Sequence, residues 1–141
     1  MLEKYTGPVV VTVVYVAVYY AFILNVLRVK NRLKREGGGA FDRYDINNRE
    51  MLAADRVQLN MLEQMPPFLV LLWLHAVFVS TFSATIVGAV YVASRALYPI
   101  VFGSRAQGGA PTRVMPLTFT GYGIIAFLAI SLGWFALVPH T

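Results

Sequence analysis

The chain has 141 residues, of which 57% are hydrophobic and 13% charged, with a formal net charge of +5 and a mean hydropathy of +0.60. Soluble domains carry about 25% charged residues, and a core of this size cannot hide so many apolar side chains from water, so an ordinary soluble domain is excluded. The absence of cysteine excludes disulfides, thiolate metal sites and a cysteine nucleophile. The charges are placed around apolar spans, which argues against nucleic acid as a partner.

About 20 apolar residues cross the hydrocarbon core as a helix. Residues 8–27 form the first such span; the Glu3 and Lys4 before it lead into a run with no small-residue cleavage pattern, so it reads as a retained helix. Val and Tyr are abundant there, which in water would suggest a strand, but backbone self-satisfaction in lipid selects helix. Residues 28–56 are a charged loop, with Gly37, Gly38 and Gly39 expected to end any extension of the first helix.

The next apolar stretch is too long for one span. A break near residues 80–85 gives two helices, at about 60–80 and 84–103, joined as a tight hairpin, with Pro66 and Pro67 predicting a kink in the first of them. A second basic loop covers residues 104–113. The fourth span runs over about 115–138, with Trp134 as an interfacial anchor. The expected fold is all-α, an integral membrane four-helix bundle forming one domain over residues 1–141.

Of the twelve basic residues, all but Lys4 lie in the two long loops or at adjoining helix ends. With four spans those loops share one side, which the positive-inside rule makes cytoplasmic. A bacterial inner membrane and an endoplasmic reticulum both satisfy that geometry.

Charged groups within membrane helices cost about 2.5–3.5 kcal/mol each near the centre. Arg56, Asn60 and Glu63 share one helical face at the start of the second span, accompanied by Gln58, while Arg95 and Tyr98 recur at helical spacing near the end of the third. A hairpin sets these faces at similar depth, where Glu63 and Arg95 are expected to converge. Positive charge is in surplus, since Arg28, Arg32, Arg105 and Arg113 approach the same side. The plain alternative is a sealed Glu63–Arg95 pair bridging two helices; the surplus instead favours a pocket for a small anionic or zwitterionic guest. His75 is expected to be hydrogen-bonded inside the bundle, and with His140 as the only other histidine a metal site is not expected. The 28–35 basic run also suits lipid headgroups.

The segment from Arg56 through Gln58, Asn60 and Glu63 to Pro66 resembles the R-x-Q/H-x-N-x-x-E-x-x-P signature of the MAPEG superfamily, the membrane-associated proteins in eicosanoid and glutathione metabolism. Arg95-Ala96-Leu97-Tyr98 is similar to that family's R-x-x-Y/H on helix three. Ala110-Pro111-Thr112-Arg113 is similar to the A-P-x-R that enters helix four in the prostaglandin E synthase branch. Two positions depart from the pattern: Gln64 stands where the leukotriene synthase branch has tyrosine, and Phe102 replaces a common helix-three tyrosine.

The resemblance implies a homotrimer that holds glutathione between neighbouring subunits near the cytoplasmic face. It implies that Arg56, Asn60, Glu63, Arg95 and Tyr98 line the glutathione site, that Arg28 reaches a glutathione carboxylate, and that Gln58 braces the polar network. Arg113, with Arg105 as competitor, would stabilise the thiolate. The implied activity is a glutathione transferase acting on a lipophilic substrate drawn from the bilayer, with peroxide reduction as a second use of the same thiolate. A non-catalytic lipid-binding or scaffold member of the superfamily is the alternative. A small transporter is a third reading, weakened because residues 8–27 contain no acidic residue.

Overall fold

The computed structural model describes residues 3–38, 41–102 and 115–138. Its helices are α1 (Thr6–Gly37), α2 (Arg49–Phe78), α3 (Thr81–Phe102) and α4 (Met115–Leu137), with no strand among the described residues. Each helix contains a stretch long and apolar enough to cross a membrane. The chain is an all-α, multi-pass integral membrane protein.

Helical structure runs well beyond the apolar spans on the basic side. α1 has 32 residues, about 48 Å of helix at 1.5 Å per residue, against ~30 Å of hydrocarbon. Its outer part carries Arg28, Lys30, Arg32, Lys34 and Arg35 with Leu33 and Glu36, all good helix formers, and is amphipathic. Val26 packs with Met51 and Ala54 of α2, and Val29, Leu33 and Phe41 close over them as a second small core. Arg32 pairs with Glu50 of α2 and sits 3.9 Å from Glu36 one turn on. Gly38 then takes φ +54°, a conformation in which glycine carries no β-carbon penalty, and the helix stops.

α2 begins where Asn48 accepts a hydrogen bond from the Met51 amide at 3.1 Å, an N-cap that satisfies one of the first-turn donors. It ends at Phe78, and a two-residue turn follows. There the amides of Val79 and Ser80 both donate to the His75 carbonyl at 2.9 Å, while Ser80 Oγ accepts from the Ser83 amide at 3.2 Å and caps α3. The hairpin is as tight as the sequence requires. Pro66 and Pro67 lie inside α2 and Pro99 inside α3; interior prolines are tolerated in membrane helices, where neighbouring groups make up the missing bonds.

α1 and α4 each pack against α2 and α3. The main core is aromatic: the Phe68 and Tyr91 rings stack at 3.8 Å and Tyr15 lies 5.2 Å from Phe68, with Leu72 and Leu128 fully buried around them. Gly88 permits this closeness, because a β-carbon there would sit 2.8 Å from Val11 and 2.9 Å from Leu72. Small residues at such crossings let membrane helices gain packing where lipid supplies no hydrophobic drive. Towards the other end of the bundle, His75 accounts for both ring nitrogens, with Ser83 Oγ 2.6 Å from Nε2 and Ser131 Oγ 2.9 Å from Nδ1. That node ties α2, α3 and α4 together, as expected for a histidine bonded within the bundle.

Candidate functional site

Arg95 is the centre of the polar site. Only 2% of it is exposed, although it carries an obligatory charge. Nη1 donates to Asn60 Oδ1 at 3.3 Å across the α2–α3 boundary, and the guanidinium carbon stands 5.0 Å over the Tyr91 ring, in cation–π range. Nε and Nη2 are buried without a hydrogen-bond partner. No carboxylate of the described chain pairs with Arg95. Buried donors left unmet cost about 1–3 kcal/mol each, and more when charged, so this cation calls for an acceptor beyond those the described residues provide.

Asn60 is held from both sides. Its Oδ1 also accepts from Gln64 Nε2 at 3.4 Å, and Gln64 Oε1 in turn accepts the Tyr91 hydroxyl at 3.0 Å. The order Tyr91, Gln64, Asn60, Arg95 makes a continuous chain of donors and acceptors between α2 and α3. Gln64 and Tyr91 are the members of this chain that were not among the expected site residues. Each stands one helical turn from a recognised residue, Gln64 four after Asn60 and Tyr91 four before Arg95, which is the spacing that puts side chains over one another.

Gly121 of α4 supplies the last wall. A β-carbon built there would overlap Arg95 Nη2 and Cζ. With glycine there the guanidinium fits between α3 and α4, and any β-carbon would force it to move.

The remaining predicted residues divide into groups. Gln58 donates to the Tyr19 hydroxyl at 3.3 Å and so braces α2 against α1. Tyr98 is partly buried on α3. Arg56 and Glu63 are exposed on the outward face of α2, and no ion pair joins Glu63 to Arg95 within the chain. The convergence of Glu63 and Arg95 expected from depth alone is therefore not formed in one copy. Asn60 takes that place beside the guanidinium. Arg28 is exposed at a separate cavity between α1, α2 and α3. Arg105 and Arg113 lie outside the described residues.

Chemically, the arrangement offers a desolvated cation whose Nε and Nη2 have no partner among the described residues, next to a face bearing one further cation and one carboxylate. That set suits a small molecule with both carboxylate and ammonium groups. Among the described residues no cluster of histidine and acidic side chains could hold a metal ion.

Comparison with curated proteins gives no match. The model of the MAPEG family matches residues 8–134, from the first turn of α1 almost to the end of α4. That family includes glutathione transferases and related enzymes, and also non-catalytic members. With the match covering all four helices, the chain belongs to the MAPEG family.

Proposed function

We propose that this protein is a glutathione-dependent membrane enzyme, most simply a transferase joining the glutathione sulfur to a lipophilic electrophile. The observation that carries this reading is the buried guanidinium of Arg95, anchored by Asn60, with Nε and Nη2 unpartnered and no carboxylate beside it among the described residues.

The residues present fit such a guest. Arg95 and Arg56 are the cations for its carboxylates. Glu63 offers an acceptor for its ammonium, aided by the carbonyls of Leu62 and Glu63, whose helical donors are removed by Pro66 and Pro67. When bound, glutathione supplies a thiol whose anion is the nucleophile. An ordinary thiol has a pKa near ~8.5 and each unit of lowering needs ~1.4 kcal/mol, within reach of one guanidinium. Arg113 is proposed for that role, with Arg105 as the competitor. Arginine keeps its charge where water is scarce.

Arg56 and Glu63 face outward from α2, where lipid would make ionised side chains costly. A second copy that covers this face would give both of them polar company, which supports a homotrimer with the site at subunit boundaries. The charge of the basic loops supports a cytoplasmic position for them, and the lipophilic substrate would reach the site from the bilayer.

The test is conjugation of glutathione to 1-chloro-2,4-dinitrobenzene by purified protein, followed spectrophotometrically for the wild type, Arg95→Ala and Arg113→Ala. Turnover should fall in both variants; undiminished turnover in both removes the mechanism. A second reading, a scaffold that binds lipid without catalysis, draws on Gln64, which spends its side chain on Asn60 and Tyr91 inside the chain. Calorimetry separates the two, because a scaffold gives no heat with glutathione.

A further inference from the structure

A second polar cavity lies apart from Arg95. Between the outer part of α1, the first turns of α2 and the end of α3 there is a cleft of about 860 Å³, within the 300–1,000 Å³ range of small-molecule sites. Four cations line it, Arg28, Arg32, Lys34 and Arg35, against one carboxylate, Glu50. That carboxylate is already paired with Arg32. Arg28, Lys34 and Arg35 have no ion pair among the described residues. Val29, Ala53, Ala54, Val57 and Pro99 give it apolar surface, and Asn25 and Asn31 are its neutral polar lining.

We propose that this cavity binds the phosphate headgroup of an anionic membrane lipid. Charge complementarity requires an anion, and position selects a lipid as its bearer. The walls extend from Asn25, in the last turn of the apolar span, to Arg35, about 15 Å further out at 1.5 Å per residue. They therefore start in hydrocarbon and cross the headgroup layer, which adds only ~5–7 Å on each side of the core. A lipid standing in its own leaflet meets the apolar end with its glycerol region and the basic rim with its phosphate. A free anion would use only the rim.

The cavity is distinct from the site around Asn60. On α2 its lining residues, including Ala53, Ala54 and Val57, point about 100° around the helix from the face that carries Arg56, Asn60 and Glu63, at 100° per residue. All its walls come from one copy of the chain, so the proposal does not depend on the glutathione reading or on oligomerisation. A lipid there would also clamp the outer part of α1 onto α2, reinforcing the small core of Val26, Met51 and Ala54.

The test is thermal unfolding of the purified full-length protein in non-ionic detergent, titrated with dioctanoyl phosphatidylglycerol or dioctanoyl phosphatidylcholine. The wild type is compared with Lys34→Gln/Arg35→Gln, whose side chains are exposed on α1 and form no ion pair among the described residues. Phosphatidylglycerol should raise the wild-type midpoint saturably, phosphatidylcholine should not, and the double variant should need about thirtyfold more phosphatidylglycerol, the expected effect of two basic residues near an anionic surface. Mass spectrometry of lipid retained through purification gives a second readout, with anionic lipid depleted in the variant. Equal responses to the two lipids overturn the proposal, as does an undiminished response in the variant. Reproduction of the shift by inorganic phosphate or glutathione, with the same dependence on Lys34 and Arg35, also overturns it by assigning the cavity to a soluble anion.

Discussion

Arg95 on α3 and Gly121 on α4 share one volume: the guanidinium occupies the space that any β-carbon at position 121 would need. Gly121→Ala should therefore push Arg95 out of its place beside Asn60. Overpacking of this kind costs about 1–3 kcal/mol, so the unfolding midpoint should drop by several degrees. Glutathione affinity should fall at least about tenfold. Calorimetry of the folded variant separates the two effects, and unchanged affinity would mean that the position of Arg95 does not matter to the guest.

Asn60 is the only neutral acceptor seen for the Arg95 side chain among the described residues. Removing it in Asn60→Ala leaves a third donor of a buried cation unmet and should destabilise by about 1–3 kcal/mol. Asn60→Asp should act in opposite directions on two readouts. A carboxylate there neutralises Arg95 from within the chain, so the unfolding midpoint should rise while glutathione binding weakens. Thermal unfolding paired with calorimetry on this one variant tests both.

His75 offers the matching control. It joins Ser83 and Ser131 near the α2–α3 turn, away from Arg95. His75→Ala should destabilise the bundle by about 1–3 kcal/mol through the stranded hydroxyls and the cavity. The affinity for glutathione, measured below the unfolding transition, should remain within about twofold of the wild type.

Glu63 is exposed on α2 and forms no ion pair with Arg95 among the described residues, so its cost depends on what covers that face. If a second copy does so, Glu63→Gln should weaken the assembly, and native mass spectrometry from detergent should reveal a larger monomer fraction. A monomer–trimer distribution identical to the wild type would argue that Glu63 faces lipid or water.

Much of this was legible in the residues. Apolar runs located four spans, Gly37 to Gly39 marked the end of α1, and the polar break at Ser80 became the hairpin turn. Matched depth of Asn60 and Arg95 was readable because helical rise is fixed. The partner of Arg95 was not readable, since periodicity says which residues share a face of α2 but not which way that face turns. Asn60 and Glu63 differ by only ~60° around the helix, enough for one to meet Arg95 and the other to be exposed. The outer reach of α1 was hidden for another reason. Hydropathy reports where a helix leaves hydrocarbon, whereas Arg28 to Glu36 remain helical through propensity and the small core around Val26 and Met51. Gln64 looked like a departure from a family pattern, and its bonds to Asn60 and Tyr91 show what the amide does in this chain.

In the proposed mechanism an anionic guest completes the buried Arg95 cation. The most direct test is calorimetric titration of glutathione into the purified protein and into Arg95→Gln, a substitution that removes the charge and keeps much of the side chain's length. The prediction is saturable binding to the wild type and affinity at least about tenfold weaker, or no measurable heat, in the variant. Equal affinity in the two proteins would contradict it.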